Sequence, residues 1–460
     1  MKKLYILNYG CDMNRADSEA VRGMLDREGY ILTDNEKEAD FIFVNTCSIR
    51  DKSEEKVYSK LGELGKLKQA NPELILTVGG CVAQQEGRAL AAKAPFVDIV
   101  MGTHNIHTLP ELLDIRRSSK KEQKNEQFIQ IVREKDNKVI RNQVISVWDE
   151  PLADIAEDMP VIRDNPWIAK VNIIYGCNYK CTYCIVPTTR GVERSRHPDD
   201  ICREVEQLAA DGYKEIHLLG QNVNSYGQDL KLDKRASLAV LLNSLVKIDG
   251  IERIRFFTSH PKDITLELIE AMKHPKVCDW LHLPVQSGDD EVLELMARQH
   301  DTDYYRNLIS ELKEAVPTLC LSSDIIVGFP GETREQFENT LRFVEEMEFE
   351  WVNTAAFSKR PGTPAENMTE TISETEKYRW LHELNAFVKA QVYKYNQKLV
   401  GNTYSILIEG VSRENPDMLL GKTTTGKTIF VEGSLSEYGG RIVNVRVTKA
   451  ASWVIYGEMI

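Results

Sequence analysis

Short apolar runs alternate with longer polar stretches of helical pattern over the first 117 residues. The apolar runs cover residues 3–8, 40–45, 74–78 and 97–101, and the first three are each followed by a polar helical stretch. Strands that alternate with helices in this way form a parallel sheet with helices packed on its faces. We therefore predict that residues 1–117 form an N-terminal domain built on an open parallel α/β sheet.

Charge runs replace this pattern from about residue 118 to residue 164. Only isolated apolar alternation is left, at residues 128–132 and 139–147. Polar sequence without a sustained period is typical of a loop or linker. We predict a linker over residues 118–164 that carries a small hairpin.

The alternation returns with a longer period after residue 165. Helical patterns, such as those at residues 199–210 and 332–347, separate six strand candidates, and a long helical stretch at residues 374–399 follows them. Six such units predict a partial (β/α)6 barrel over residues 165–397, with its chemistry at the carboxyl ends of the strands. The strand candidates cover residues 168–174, 215–219, 253–258, 280–285, 321–327 and 351–357.

Short strands separated by turns follow Gly401, at residues 404–408, 429–431, 442–447 and 453–457. This spacing is typical of a small all-β barrel, which we place at residues 398–460. The predicted fold class is thus α/β and multidomain, with an open parallel sheet, a partial barrel and a small β-barrel in that order.

Composition and charge narrow the classes of function. The 460 residues are 42% hydrophobic, which excludes a mostly disordered chain. The net charge of −12 argues against a non-specific nucleic-acid coat. The stretch from Lys398 onward has seven basic and six acidic residues, so the acidity lies in the rest of the chain. No apolar run is long enough for a membrane helix, and the first residues lack a signal-peptide pattern. We expect a cytoplasmic protein without a membrane partner.

Cysteine spacing provides the sharpest chemical signal. Cys177, Cys181 and Cys184, here called the loop triad, form a C-x3-C-x2-C run directly after the first strand of the predicted barrel. Three thiolates on one loop can hold a cuboidal iron–sulfur cluster. One iron then lacks a protein ligand and can chelate a small molecule through an amino group and a carboxylate. A zinc site without its fourth ligand and chance clustering are the alternatives.

Three further cysteines are widely spaced in the sequence but share a structural position. Cys11, Cys47 and Cys81, here called the N-terminal triad, each follow the carboxyl end of a predicted parallel strand. Ligand crevices form at this edge of open α/β sheets, so we expect the three thiols to converge. Three separately buried cysteines are the alternative. The same packing role is the preferred interpretation of the last three cysteines: Cys202, Cys278 and Cys320.

The residues around both triads resemble a known family. The loop triad is similar to the cluster motif of radical S-adenosylmethionine (SAM) enzymes, and its flanks at residues 175–178 and 185–191 are similar to the methylthiotransferase branch. The resemblance covers the chain except for the predicted linker, and the C-terminal barrel resembles a TRAM domain, an RNA-binding module. Further matching stretches are YGCDMN at 9–14, NTC at 45–47, GGCVAQ at 79–84, LPVQSG at 283–288, DIIVGFPGET at 324–333 and RPGT at 360–363.

The resemblance implies an enzyme with two [4Fe–4S] clusters that uses SAM in two ways. The loop triad would hold the cluster that binds SAM and generates a 5′-deoxyadenosyl radical. The N-terminal triad would hold an auxiliary cluster that delivers sulfur, and a second SAM would methylate that sulfur. The implied partners are a tRNA anticodon stem-loop, a reducing electron donor of flavodoxin or ferredoxin type and a sulfur donor.

The stretches GQNVNSYG at 220–227 and FTSHP at 257–261 most resemble the methylthiotransferases that modify C2 of N6-dimethylallyladenosine beside the anticodon. Asp12 and Thr188 depart from the usual pattern, in which glutamine and an aromatic residue are common. The alternatives are the same chemistry on threonylcarbamoyladenosine in tRNA or on an aspartate of a ribosomal protein. A non-enzymatic electron carrier fits less well, because such carriers usually provide a protein ligand for every iron, whereas each triad lacks a fourth cysteine.

Candidate residues for SAM and RNA follow from position. Polar residues near the presumed active face are candidates for SAM contacts: Gln221, Asn222, Ser259, Gln286 and Asp324. Basic residues of the C-terminal barrel, gathered on one face, would hold RNA phosphates: Lys422, Lys427, Arg441, Arg446 and Lys449. His260 and His282 also lie at predicted strand ends, where a lone histidine is more often structural. No side chain is predicted to be catalytic in its own right.

Overall fold

The structure, a computed structural model, describes residues 1–48, 51–121, 138–140, 143–148, 155, 159–230 and 236–460. The chain divides into two compact units. The first unit contains Met1–Asp164, Tyr175–Asn178 and Ile185–Arg194, and the second contains Asn165–Ile174, Tyr179–Cys184 and Ser195–Ile460.

A seven-stranded sheet forms the first unit, with strand order β2-β1-β3-β4-β5-β7-β6. All neighbouring strands are parallel except the antiparallel pair β6 and β7. The elements are β1 Lys2–Asn8, α1 Asp12–Arg27, β2 Tyr30–Leu32, a 3-10 turn Glu36–Glu38, β3 Phe41–Thr46, α2 Asp51–Ala70, β4 Ile75–Gly80, α3 Cys81–Glu86, α4 Arg88–Lys93, β5 Ile99–Met101, a 3-10 turn Ile106–Thr108, α5 Leu109–Lys121, β6 Lys138–Ile140 and β7 Gln143–Ser146.

Helices cover both faces of this sheet. Every residue of β3 is buried, as expected for a central parallel strand. Ile42 and Val44 pack in one apolar cluster, whereas Phe41 and Phe43 pack in another, because successive side chains of a strand point to opposite faces. The predicted parallel α/β architecture is therefore present.

The sheet also incorporates part of the predicted linker. Strand β7 pairs in parallel with β5 and continues the sheet beyond residue 117. The buried Gln143 side chain donates hydrogen bonds to the carbonyls of Ala94 and Val97, at 3.1 and 3.0 Å. These contacts tie the segment to the domain, so the expectation of a separate linker is wrong for residues 143–146, while the β6–β7 pair confirms a hairpin. The predicted alternation at residues 128–132 lies outside the described residues.

The second unit contains an open barrel of six parallel strands. Its two sheets have the orders β12-β11-β8 and β13-β14-β15, and a parallel bridge between Ile254 and Val277 joins them. The elements are β8 Ile168–Asn172, β11 Glu215–Leu219, a 3-10 turn Val223–Ser225, β12 Arg253–Phe256, a 3-10 turn Pro261–Asp263, β13 Trp280–His282, β14 Cys320–Val327 and β15 Trp351–Ala356. The short strands β9 Ile174–Tyr175 and β10 Arg194–Ser195 complete the numbering.

Helices follow the strands of the barrel and bury its outer face in the largest apolar cluster of the described residues. The helices that contribute to this cluster are α7 Pro198–Ala210, α8 Leu238–Leu245, α9 Leu266–Met272, α11 Thr302–Ala315, α12 Arg334–Met347 and α13 Glu374–Gln397. The second unit also contains α10 Asp290–Leu295 and a 3-10 turn Pro364–Asn367, whereas the short helix α6 Val186–Arg190 belongs to the first unit. The predicted partial barrel and its closing helix are thus observed. None of the described helices combines the length and the apolar character needed to cross a membrane.

A closed five-stranded barrel ends the chain, with strand order β16-β17-β18-β20-β19. Its elements are β16 Thr403–Val411, β17 Met418–Thr423, β18 Thr428–Glu432, α14 Leu435–Tyr438, β19 Ile442–Ala450 and β20 Ile455–Met459. The small barrel expected from the sequence is therefore present, with one more strand, β17, than the pattern indicated.

The turn at residues 423–427, between β17 and β18, packs against the first residues of the central strands. Arg255 of β12 donates to the carbonyls of Thr423 and Thr424, at 3.0 and 3.1 Å. The side chain of Lys427 pairs with Glu350 at 2.8 Å. The C-terminal barrel thus covers the end of the central barrel where the strands begin, opposite the end at which chemistry is expected.

Candidate metal centres

The three cysteines of the N-terminal triad lie where parallel strands end. Cys11 precedes α1 directly, Cys47 follows β3, and Cys81 is the first residue of α3. Cys11 is exposed, whereas Cys47 and Cys81 are buried. A hydrogen bond to the Cys47 side chain and the charge of Arg190 lower the pKa of Cys11 to about 6. Cys11 thus lies close to Cys47, and its charge acts to raise the pKa of Cys81.

Backbone constraints hold these loops in place. Asn14 Oδ1 accepts the backbone N–H of Cys11 at 3.3 Å, and its amide donates to Asn45 Oδ1 at 2.9 Å. Gly80, directly before Cys81, has a φ of +94°, and a Cβ there would lie 2.3 Å from the Thr46 carbonyl oxygen. Only glycine adopts this conformation in the space available. The GGC sequence thus allows β4 to turn into α3 with Cys81 at the helix start.

A buried ion pair lies beside the N-terminal triad. Arg190, the last residue of α6, donates through Nη2 to Asp17 Oδ2 at 2.8 Å, and both side chains are buried. Helix α6, which ends at Arg190, also contacts α3, which begins at Cys81. Burial raises the pKa of Cys81, and the positive charge of Arg190 opposes that rise. The site therefore contains one cation that favours the thiolate forms of two triad cysteines.

The loop triad lies on the stretch of chain between β9 and α6. The N–H of Cys177 donates to the Gly191 carbonyl at 3.1 Å. The N–H of Cys184 donates to the Cys181 carbonyl at 3.0 Å. Arg298 donates through Nη1 to Cys181 Sγ at 3.4 Å. A partly buried arginine thus lies beside cysteine sulfur here as well.

The donor sets fit iron–sulfur clusters. Thiolate is the ligand that such clusters take from proteins, and hydrogen bonds to sulfur tune them. Within the described ranges, no three cysteine, histidine or acidic side chains are placed to share a single metal ion. A four-iron cluster attaches its ligands to separate irons and therefore holds them farther apart than one ion does. Cysteine triads with neighbouring guanidinium groups match the cluster better than a mononuclear zinc site.

The candidates for SAM contacts surround the carboxyl ends of the barrel strands, with one exception. Gln221 and Asn222 follow β11, Ser259 follows β12, and Gln286 follows β13. Asp324 lies instead in the middle of β14. Its carboxylate accepts from Asn353 of the neighbouring strand β15 at 2.9 Å.

Two of these candidates have buried polar atoms without a partner. Within the described part of the chain, no hydrogen-bond partner is found for Asn222 Oδ1 or for Ser259 Oγ. Gln286 has a φ of +78°, and Thr258, next to Ser259, has a φ of +65°. Such strained non-glycine residues concentrate at functional sites. These features support a ligand site at the strand ends without identifying which side chain touches the ligand.

Models of three families match successive parts of the chain. A family described as "uncharacterized protein family UPF0004" matches residues 3–102, the radical SAM superfamily matches residues 171–344, and the TRAM domain matches residues 397–460.

Bacterial relatives match along the entire chain. The tRNA-2-methylthio-N(6)-dimethylallyladenosine synthase of Bacillus subtilis (strain 168) is 45% identical over 462 residues, which cover 100% of this chain and 86% of that protein. The enzyme of the same name from Clostridium botulinum (strain Okra / Type B1) is 44% identical, covering 100% and 97% respectively. The chain belongs to the radical SAM methylthiotransferase family.

A solved structure supports the fold of this methylthiotransferase. The radical SAM methyltransferase TsrM from Kitasatospora setae, with cobalamin and a [4Fe–4S] cluster bound, superposes with a TM-score of 0.56 at 14% identity. The match covers 79% of this chain and 77% of that chain. Membership of the radical SAM superfamily implies a [4Fe–4S] cluster and SAM as cofactors.

The basic residues proposed for RNA in this methylthiotransferase do not share one environment. Lys427 is paired with Glu350, and Lys422 Nζ lies 3.8 Å from Glu409. Both lysines are partly buried, whereas the remaining three residues are exposed: Arg441, Arg446 and Lys449. Lys427 thus helps to pack the C-terminal barrel on the central barrel, whereas the grouping of the five charges on one face stays a prediction.

The remaining cysteines and histidines have structural surroundings. Cys278 and Cys320 are buried, and burial raises the pKa of Cys278 to about 12, which keeps its thiol protonated. Cys202 is partly buried on α7. His282 contacts Ser322 and Asp324, and the ring of His260 stacks on Tyr179 at a centroid distance of 3.8 Å. Arg190 lies in the matching stretch at residues 185–191, whereas no motif in the sequence pointed to Asp17 or Arg298. These residues meet their partners only through tertiary folding.

Glu332 of the DIIVGFPGET stretch gives a testable pH dependence. Burial raises its pKa to about 7, although its Oε2 accepts the backbone N–H groups of Gly328 and Phe329. A raised carboxyl pKa means that the folded state binds the proton more tightly, so the contribution of this proton to stability is full below pH 4.5 and is lost as the pH rises to about 7. The loss is on the order of 3 kcal/mol, since one pKa unit corresponds to about 1.4 kcal/mol.

Glu332→Gln keeps the acceptor for both N–H groups and removes the titrating proton. We expect this variant to lose the decline in stability between pH 5 and pH 8, as measured by urea unfolding. Glu335→Gln, on the exposed first turn of α12, is the matched control and should follow the wild-type profile. Parallel pH profiles for wild type and Glu332→Gln would contradict the prediction.

Proposed function

We propose that this chain installs a methylthio group on C2 of N6-dimethylallyladenosine next to the anticodon of tRNA. The observation that carries the proposal is the full-length identity of 44–45% to synthases of that modification, together with both cysteine triads. The same chemistry on threonylcarbamoyladenosine or on a protein aspartate is the alternative. The stretch at residues 220–227 favours the dimethylallyl substrate.

The loop triad would hold the [4Fe–4S] cluster that binds SAM, and the N-terminal triad would hold a second cluster. When bound, the first cluster with SAM supplies the radical that removes the C2 hydrogen, and the second supplies the sulfur that replaces it. The chain itself holds these groups and excludes water from them, which the burial of Cys47, Cys81 and Cys181 supports. Candidate SAM contacts are the polar groups Gln221, Asn222, Ser259, Gln286 and Asp324.

A target base must leave its stack to reach a buried cluster, so a splayed base in an RNA loop is the fitting substrate. The partners we propose are the tRNA anticodon stem-loop, a one-electron donor of flavodoxin or ferredoxin type and a sulfur donor. We place the reaction in the cytoplasm, where a reducing environment preserves free thiols.

Product analysis tests the proposed function. The protein, reconstituted anaerobically with iron and sulfide, would be incubated with SAM, a reductant and one of three substrates, followed by mass spectrometry of the products. The substrates are an anticodon stem-loop with dimethylallyladenosine, the same stem-loop with threonylcarbamoyladenosine, and a ribosomal-protein peptide with an aspartate. We expect a methylthio product from the first alone. A product from either of the other two, with none from the first, would reassign the substrate.

The exposed basic residues of the C-terminal barrel give a prediction about RNA affinity. Each phosphate contact contributes a slope of roughly 0.7 in log affinity against log salt for single strands. Replacing Arg441, Arg446 and Lys449 together with alanine should weaken stem-loop binding and lower that slope by up to about 2. Lys427→Met is the matched control, because Glu350 already neutralises that charge. Fluorescence anisotropy at several salt concentrations gives both slopes, and an unchanged slope in the triple variant would remove these residues from RNA recognition.

A further inference from the structure

The ion pair of Arg190 and Asp17 has no role in the function proposed so far. Arg190 is 4% exposed and Asp17 is 7% exposed. Removing two charges from water costs more free energy than a surface ion pair contributes to folding. A buried ion pair is therefore weak evidence for a role in stability. A buried arginine whose contacts include reactive cysteines is better explained by what it does to those cysteines.

The geometry places the guanidinium between the carboxylate and the N-terminal triad. Nη2 of Arg190 donates to Asp17 Oδ2 at 2.8 Å. Helix α6, which ends at Arg190, contacts α3, which begins at Cys81. The positive charge of Arg190 lowers the pKa of both Cys81 and Cys11. A guanidinium has five N–H donors in a fixed fork, so it can bond to Asp17 and to sulfur at once. Asp17 fixes the orientation of that fork, because an oriented arginine needs an acceptor on its far side.

A [4Fe–4S] cluster on three thiolates carries net negative charge. Two of the three cysteines are buried, so water screens this charge poorly, and a buried charge requires a partner. Hydrogen bonds to the sulfurs and nearby charge set the reduction potential of such clusters. At this triad, Arg190 is the source of the N–H donors and of the positive charge.

The loop triad shows the same device in an independent setting. Arg298 donates through Nη1 to Cys181 Sγ at 3.4 Å and through Nη2 to the Pro284 carbonyl at 2.7 Å. There a backbone carbonyl orients the guanidinium, whereas at the N-terminal triad a carboxylate does so. Each triad is thus matched to one arginine with a second, orienting partner.

We infer that Arg190 is the counter-ion and hydrogen-bond donor of an iron–sulfur cluster on the N-terminal triad, and that Asp17 is the residue that positions it. This inference rests on the proposed function, because it requires a second cluster at that triad. Arg190 and Asp17 then act with opposite signs. Arg190 favours the reduced, more negative cluster, whereas the charge of Asp17 opposes reduction while its hydrogen bond keeps Arg190 in place.

The test uses the full-length chain with Cys177, Cys181 and Cys184 replaced by alanine, so that only the second cluster can form. After anaerobic reconstitution, iron content is measured, and the midpoint potential is obtained by redox titration followed by electron paramagnetic resonance. Arg190→Gln is expected to shift the midpoint to more negative values, and Asp17→Asn is expected to shift it to more positive values. Arg190→Lys should lie between Arg190→Gln and the parent. Arg298→Gln removes the arginine beside the other triad, so it is the matched control and should leave the midpoint potential unchanged.

The outcomes separate this inference from the proposed function. A parent chain that binds no iron would overturn the proposed second cluster itself. A second outcome is a parent that binds about four irons, the content of one [4Fe–4S] cluster. If its midpoint potential then does not respond to Arg190→Gln and Asp17→Asn, or shifts in the same direction in both variants, the role of Arg190 alone is overturned. If Arg190→Gln fails to load iron while its far-UV circular dichroism is unchanged, restoration of loading by Arg190→Lys supports the counter-ion role. Failure of Arg190→Lys to restore it, with no positive shift in Asp17→Asn, contradicts that role.

Discussion

Replacing the N-terminal triad with alanine is expected to abolish the methylthio product while SAM cleavage continues. Cys11, Cys47 and Cys81 lie at the ends of three neighbouring strands of the first unit. The cluster proposed to bind SAM takes its ligands from the loop triad instead. Sulfur delivery and radical formation therefore depend on different cysteines, and removal of one set should leave the other reaction. We expect a complete loss of product, because no other cysteine follows these strands and could replace the missing ligands.

Iron content and two products give the measurement. Reconstituted wild type should bind about eight irons per chain, and either triple alanine variant should bind about four, as two separate [4Fe–4S] clusters require. In the N-terminal variant, mass spectrometry should detect 5′-deoxyadenosine but no stem-loop with a methylthio group on C2. In the loop variant, it should detect neither of these two products. Cys202→Ala, on the partly buried face of α7, is the matched control and should retain both products. Four irons in wild type and none in the loop variant would assign the N-terminal cysteines to simple packing.

The position of the N-terminal triad was predictable because strand polarity alone determines it. In a parallel sheet all carboxyl ends meet at one edge, so a cysteine after each of β1, β3 and β4 must lie at that edge. Local hydrophobic pattern identified these strands, since each is apolar and bounded by polar sequence. The barrel strands of the second unit were identified for the same reason.

The groups that surround the cysteines were not predictable from the pattern. Arg190 and Asp17 are 173 residues apart in sequence and meet only in the folded chain. Asp17 occurs in a stretch that reads as an ordinary charged helix, and the matching stretch at residues 185–191 does not show which residue Arg190 contacts. Strand β7 was assigned to a linker because its four residues are too few to show a period. Its buried Gln143 also reads as a surface residue until its partners, two backbone carbonyls, are known.

The second prediction with a large expected effect concerns the junction of the two barrels of the second unit. Arg255 is 2% exposed, and its Nε donates to Glu215 Oε1 at 3.1 Å. Its other nitrogens donate to the carbonyls of Thr423 and Thr424. Glu215 is fully buried, and although burial acts to raise its pKa, the hydrogen bond from His217 and the charge of Arg255 hold that pKa well below its usual range. One arginine thus compensates a buried carboxylate and anchors the C-terminal barrel.

Arg255→Met leaves the Glu215 carboxylate without its cation and the two turn carbonyls without donors. Removing one partner of a buried ion pair typically costs about 3–5 kcal/mol. For a unit of this size, that loss lowers the melting temperature by roughly 10 °C. Calorimetry and urea unfolding of the iron-free protein would measure the change. Because Glu215→Gln with Arg255→Met removes both charges together, the double variant should recover part of the stability that Arg255→Met loses. Equal stability of Arg255→Met and wild type would mean that other contacts hold the C-terminal barrel, namely the bonds from Arg253 to the carbonyls of Ser405 and Lys422 and the pair of Lys427 with Glu350.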